Sequence, residues 1–193
     1  MKVALPEASR KNENLMLRGM LAMVMILLAA ALRVAPHPWN LTPLGAMALF
    51  SGAMIRDRRL AFVFPLLALL AGDWIIGFHI LMPIVYASFL VNVAIGLVLR
   101  NRRTAWWIAA GALAGAVQFF VITNFGVWWL LGSYSQTPAG LLGCYIAGVP
   151  LFWNTLAGDA LYATVLFGGF ALAERLSPRL RGSRLRGAVQ PLA

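Results

Sequence analysis

Residues 104–158 read TAWWIAAGALAGAVQFFVITNFGVWWLLGSYSQTPAGLLGCYIAGVPLFWNTLAG and contain no Asp, Glu, Lys or Arg. An ordinary soluble domain carries about one charged residue in four, so a run of this length belongs in a different solvent. A bilayer core about 30 Å thick takes about 20 apolar residues per helical crossing. The stretch therefore holds most of two crossings. Outward from it, further apolar runs lie at 16–33, 40–55, 60–78 and 81–99, and the two crossings themselves fall at 104–130 and 147–173.

The rest of the chain agrees with this reading. Of its 193 residues, 61% are hydrophobic and 11% charged, and the mean hydropathy is +0.80. These values exclude a soluble globule. They predict an all-α, polytopic membrane protein, a compact bundle of about six transmembrane helices. A short N-terminal segment at 1–15 precedes the membrane domain at 16–173, and a basic tail follows at 174–193.

The basic residues give the orientation. Lys2, Arg10, Lys11 and Arg18 precede helix 1, and Arg56, Arg58 and Arg59 join helices 2 and 3. Arg100, Arg102 and Arg103 join helices 4 and 5, and Arg175, Arg179, Arg181, Arg184 and Arg186 follow helix 6. Only Arg33 falls on the opposite face. Cytoplasmic loops accumulate Lys and Arg, so both termini are expected in the cytoplasm and the protein in the inner (plasma) membrane. The same bias explains the net charge of +10 without a nucleic-acid partner. The first helix is expected to stay uncleaved, because cutting after Ala35 would put Arg33 at the −3 position, where small residues are required.

Helix 2 stands apart. Leu41 to Ile55 would reach only about 22 Å at 1.5 Å per residue, so a short or locally buried crossing is expected. Before it, Pro36-His37-Pro38-Trp39-Asn40-Leu41-Thr42-Pro43 cannot be regular helix. Irregular backbone at that depth must be buried in protein or face water. The longest connection is expected at about 125–146, uncharged, aromatic and glycine-rich, serving as a lid or as an aromatic belt.

The face without arginines collects the unusual polar groups. His37, Trp39 and Asn40 precede helix 2, Asp73 lies near the end of helix 3, His79 is in the following turn and Tyr86 is in helix 4. Asn124 closes the regular part of helix 5, with Trp128 and Tyr134 beyond it, and Asn154, Asp159 and Tyr162 lie on helix 6. Asn154, Gly158 and Tyr162 share one helical face. Asp73 and Asp159 are the only acids inside crossings, and intramembrane acids usually face a bundle interior or a wet cavity. Two shorter strips, Ser88-Asn92-Gly96 and Gly111-Gly115-Gln118, read as close helix packing through small residues. Leu70-Ala71-Gly72-Asp73 recurs as Leu156-Ala157-Gly158-Asp159. The lone Cys144 excludes an intrachain disulfide and a multi-cysteine metal site, and two scattered histidines form no metal spacing. No cofactor is expected.

Several stretches together resemble a family of short bacterial membrane proteins assigned to transport without an established function. They are Arg33 with Pro36 to Pro43, Arg56-Asp57-Arg58-Arg59, Asp73 with Gly77-Phe78-His79, Met82 to Tyr86, Thr123 to Trp128, and Gly140-Leu141 with Cys144-Tyr145. Size, six helices and cytoplasmic termini are also similar to the substrate-binding S components of energy-coupling-factor vitamin transporters. That resemblance implies a small vitamin-like molecule or precursor bound from the outer side. S components carry an Ala-xxx-Ala pattern on helix 1 that docks a coupling subunit. Here the clear small pair is Ala31 and Ala35, at the far end of the helix, so helix 1 lacks a clear docking motif, and a coupling subunit and a solitary transporter both stay open.

The expected function is therefore small-molecule uptake. Trp39, Trp128 and Tyr134 would stack on the guest, and Asn40, Asn124, Asn154, Asp73 and Asp159 would hold its polar groups. Two alternatives compete: an intramembrane enzyme using Asp73 and Asp159 as an acid/base pair, and a structural subunit whose basic tail binds anionic membrane lipids.

Overall fold

A computed structural model describes residues 7–33, 38, 40–177 and 180. Among them every regular element is helical: α1 (Glu7–Leu32), α2 (Leu44–Met54), α3 (Arg58–Ile76), α4 (Met82–Val98), α5 (Ala105–Leu130) and α6 (Pro138–Leu176). A 3-10 turn, Leu99–Asn101, extends α4. All helices except α2 are long and apolar enough to cross a membrane. Their outward faces carry side chains such as Leu28, Trp74, Ile75, Trp106 and Val165, all more than half exposed. Lipid solvates such a surface and water does not. The chain is a membrane protein.

The short helix is the centre of the molecule. α2 has 11 residues, about 16 Å at 1.5 Å per residue, and it packs against all five others. Nine of its residues are buried, among them Met47, Leu49 and Phe50. Phe50 meets the rings of Phe167 and Phe170 edge-on at 5.1 and 5.8 Å. On the α1 side, the Ala22-Ile26-Ala29 stripe is buried in the same core. The other face of α1, with Val24, Leu27 and Leu28, is exposed. α2 and α4 touch backbone to backbone: a Cβ on Gly52 would stand 2.9 Å from the Gly96 Cα, and one on Gly96 would stand 3.0 Å from the Gly52 Cα. The Ser88-Asn92-Gly96 strip thus packs as its small residues require.

A helix enclosed by protein inside a membrane cannot leave its end groups to water. α2 has Pro43 at its N-cap and no side-chain cap of its own. Its first turn is held instead from α6, where Asp159 Oδ1 accepts the Ala46 N–H at 2.9 Å. At the other end, the Arg100 guanidinium donates to the carbonyls of Gly52 (2.9 Å), Ile55 (2.6 Å) and Arg56 (3.1 Å). An acid therefore sits at the positive end of the helix dipole and a base at its negative end. Arg100→Leu is expected to cost about 2–3 kcal/mol, since two part-buried carbonyls at the end of α2 lose their charged donor. A shift in detergent unfolding below 1 kcal/mol would remove this reading.

Arg100 also fixes the arrangement of ends. Its bonds bring the α4–α5 arginine cluster beside the α2–α3 cluster, and Arg18 of α1 pairs with Glu174 near the end of α6. Met54, Arg103, Glu174 and Arg175 border one hollow, so Arg18, the two arginine clusters and the start of the tail share one end of the bundle.

Two expectations need correction. The irregular connection proposed at 125–146 shrinks to 131–137: α5 runs on through Asn124 and Trp128 to Leu130, and α6 begins at Pro138 rather than near 147. Within 125–146 Gly126 serves helix packing and Gly132 keeps a turn at φ 65°, and just past the segment Gly148 packs as well. Gly126 abuts Ile84, and Gly148 abuts the Asn124 carboxamide. Tyr145 donates to the Val121 carbonyl at 2.8 Å, and its ring lies 5.5 Å from Phe120. The α5–α6 pair thus continues as a hairpin in place of a loop lid. Second, helix 2, read in the sequence as Leu41 to Ile55, spans Leu44–Met54, while the irregular entry expected up to Pro43 holds at the described residues 38 and 40–43. Asn40 takes φ 63°, a left-handed conformation that Asn tolerates and helix does not.

Candidate functional site

Because α2 begins only part way into the bundle, the space in line with its N-terminus is not filled by helix. A cavity of about 600 Å³ lies there. Its floor is the start of α2 (Thr42, Leu44, Gly45) with Asp159 of α6. Asn92 and Phe89 of α4, Phe119 of α5 and Thr155 of α6 form the walls. Arg33, Asn40, Ile76, His79 and Leu81 surround it toward the α3–α4 turn, where His79 is exposed. Five helices and two connections converge on this volume.

Asp159 is 3% exposed and sits where the cavity meets the first turn of α2. Gly45 is required beside it, since a Cβ there would stand 2.8 Å from the carboxylate carbon. Gly158, the preceding residue on α6, lets the irregular chain press in: a Cβ would be 3.1 Å from the Thr42 carbonyl oxygen and 3.2 Å from its nitrogen.

Asp73 is equally buried, at 1% exposure, and has different company. Its Oδ1 pairs with Arg33, and its Oδ2 accepts the Tyr86 hydroxyl at 2.6 Å. Arg33 also donates to the Leu69 carbonyl at 3.1 Å. Gly72 stands to Arg33 as Gly158 stands to Thr42: a Cβ there would meet the Arg33 Nη1 at 3.0 Å. The repeated Leu-Ala-Gly-Asp thus marks two helix faces that grip the two ends of the α1–α2 connection. In each, glycine supplies the approach and aspartate the bond.

A polar seam closes the wall between α4 and α5. Gln118 Nε2 donates to the Ser88 carbonyl at 3.0 Å and to Asn92 Oδ1 at 3.1 Å. Gly115 makes room for the Asn92 carboxamide. Asn92, 1% exposed, thereby serves packing and cavity together.

The residues expected from the sequence divide into three groups. Asn40, His79 and Asp159 line the cavity, and Asp73 and Tyr86 hold Arg33 at its wall. Asn124 instead bonds the Phe120 carbonyl on its own helix at 2.8 Å. Trp128 ties the α5–α6 turn by donating to Ser135 and accepting from Gln136. Tyr134 lies in that turn, and Tyr162 packs on the hydrophobic core. Asn154, half-buried on α6, lies outside the cavity lining, and His37 and Trp39 fall outside the described residues. Among the described residues the aromatic walls come from Phe89 and Phe119, whose ring centroids are 5.2 Å apart, and not from Trp128 or Tyr134. Arg33, Thr42, Asn92 and Thr155 were not singled out as site residues. Arg33 carried a signal as the single base on its face, and Asn92 as part of a strip read as helix packing.

A second hollow of about 780 Å³ lies between α5 and α6 toward the arginine-bearing end. Its walls are Ala109, Ala112, Ala160, Ala163, Gly168 and Phe167, with Arg103, Glu174 and Arg175 at one end. It carries no buried ionisable group comparable to Asp159.

No curated protein and no solved structure matches the chain. A family model described as a family of unknown function, DUF6580, matches residues 13–180. The chain, a bundle built around a short buried helix with a cavity over its N-terminus, belongs to that family.

Proposed function

We propose that this protein is a membrane transport protein that binds a small molecule in the cavity over α2. The observation that carries the proposal is the cavity itself: about 600 Å³, within the roughly 300–1,000 Å³ of small-ligand sites, with apolar walls and a few placed polar groups. Ile76, Leu81, Val85, Phe89 and Phe119 supply the first, and Asn40, Thr42, Asn92, Thr155 and Asp159 the second. The bias of basic residues puts the arginine-bearing end in the cytoplasm, so the cavity lies toward the outer side. A vitamin-like molecule or precursor is the guest class that the likeness to S components suggests. The two acids have separate partners, Arg33 and Tyr86 for Asp73 and the Ala46 N–H for Asp159. That separation favours binding over a shared-proton acid/base pair.

Mass spectrometry of small molecules released from detergent-purified protein tests the proposal. Wild type is expected to retain a guest. Thr155→Trp, which fills the cavity from α6, is expected to lose it, and Thr164→Trp, which faces the second hollow, is expected to keep it. Equal retention by Thr155→Trp and wild type would refute the assignment.

A further inference from the structure

The charges around the cavity do not balance. Arg33 on its wall is matched by Asp73 in an ion pair, and Tyr86 bonds the remaining oxygen of that carboxylate. Asp159 has no such partner: among the described residues it forms no ion pair. Its one hydrogen bond is to a backbone N–H, from Ala46. The first turn of α2 offers it about half a unit of positive charge at best. With Arg33 cancelled by Asp73, the described Asp, Glu, Lys and Arg side chains around the guest sum to one uncompensated negative charge. A carboxylate that is 3% exposed inside a membrane bundle is costly to leave in that state.

The rest of the wall says what kind of cation would complete it. A hard metal ion takes six or more oxygen ligands. Here one carboxylate is offered, and no group of three His, Cys, Asp or Glu is found among the described residues. Phe89 and Phe119 present two neighbouring rings to the same volume, which suits a cation that itself carries a ring. Asn92 and Thr155 add neutral hydrogen-bonding groups.

We infer that the cavity takes a small organic cation, an aromatic or heteroaromatic amine, with its ammonium on Asp159 and its ring against Phe89 and Phe119. This inference rests on the binding reading above and adds the sign of the charge to it. In this role Asp159 joins two tasks: the guest's ammonium and the α2 N-terminus share one carboxylate, so occupancy of the cavity is linked to the seating of the central helix.

Three probes of similar shape separate the possibilities: 2-phenylethylammonium, neutral 2-phenylethanol and anionic phenylacetate. Binding is read as a rise in melting temperature by tryptophan fluorescence in non-ionic detergent, titrated to obtain Kd. The ammonium is expected to bind wild type at least about tenfold tighter than the alcohol, which corresponds to about 1.4 kcal/mol, and phenylacetate is expected not to bind. Asp159→Asn retains an oxygen for the Ala46 N–H, so it should fold while losing the preference for the ammonium. The wild-type ranking is decisive even if that variant does not fold. Tighter binding of phenylacetate, or equal binding of all three probes, overturns the inference. So does an ammonium preference that survives in folded Asp159→Asn. No shift with any probe also removes the amine assignment. In that case a guest recovered from the purified protein and lost in Thr155→Trp would still uphold the binding reading.

Discussion

Gly96→Val is expected to yield no monodisperse folded protein, and Gly96→Ala to lose at least about 3 kcal/mol, beyond the usual 1–3 kcal/mol range for overpacking. The reason is what the added carbon meets. A Cβ on Gly96 would stand 3.0 Å from the Gly52 Cα and press on the Leu49 carbonyl group. These are backbone atoms of α2, which is itself gripped by five neighbours and cannot retreat. The comparison is Gly168→Ala on α6, where a Cβ meets nothing within 4 Å. Since alanine exceeds glycine in helix propensity by about 1 kcal/mol, that variant should be neutral or more stable. Gel filtration and thermal unfolding of the two alanine variants provide the check. Equal behaviour would mean that α2 and α4 do not meet at these glycines.

Arg33→Met is expected to cost about 3–5 kcal/mol, because removing one member of a buried ion pair strands the other. Asp73 would keep only the Tyr86 hydroxyl while remaining 1% exposed. Asp73→Leu should cost a similar amount, leaving Arg33 half-buried in an apolar wall. The double variant Arg33→Met/Asp73→Leu should lose much less than the sum, since neither charge remains to be solvated. The coupling is obtained from unfolding of all four proteins in a double-mutant cycle. Additive losses would show that Arg33 and Asp73 act independently, and the charge balance of the cavity would then have to be redrawn.

The membrane assignment was legible because it depends on composition over tens of residues. So was the brevity of helix 2, since a proline-bound 15-residue run cannot reach across a bilayer. The site was legible only in part. Asp159 and Asp73 declared themselves, because an acid within an apolar run needs a reason. Phe89, Phe119 and Asn92 did not, since on their own helices they look like ordinary packing. The connection at 125–146 misled for a related reason. Glycine is the mark of a loop in water and of close helix contact in a membrane; Gly126 serves the second purpose, as does Gly148 just past the segment, while Gly132 at φ 65° serves the first. The doubled Leu-Ala-Gly-Asp was visible and brief, and its meaning came from contacts some 40 and 110 residues away, Arg33 with Asp73 and Asp159 with Ala46.

The sequence by itself determined the solvent, the number of apolar segments and the sorting of bases toward one end, because solvent transfer acts residue by residue and needs no partner. Tertiary structure decided that the shortest segment is the core, that its two ends are capped by Asp159 and Arg100 from other helices, and that a cavity remains over its start. These are consequences of helices meeting. An 11-residue helix becomes stable within a bundle only where others enclose it and answer its end charges, and the depth it leaves unfilled is the cavity.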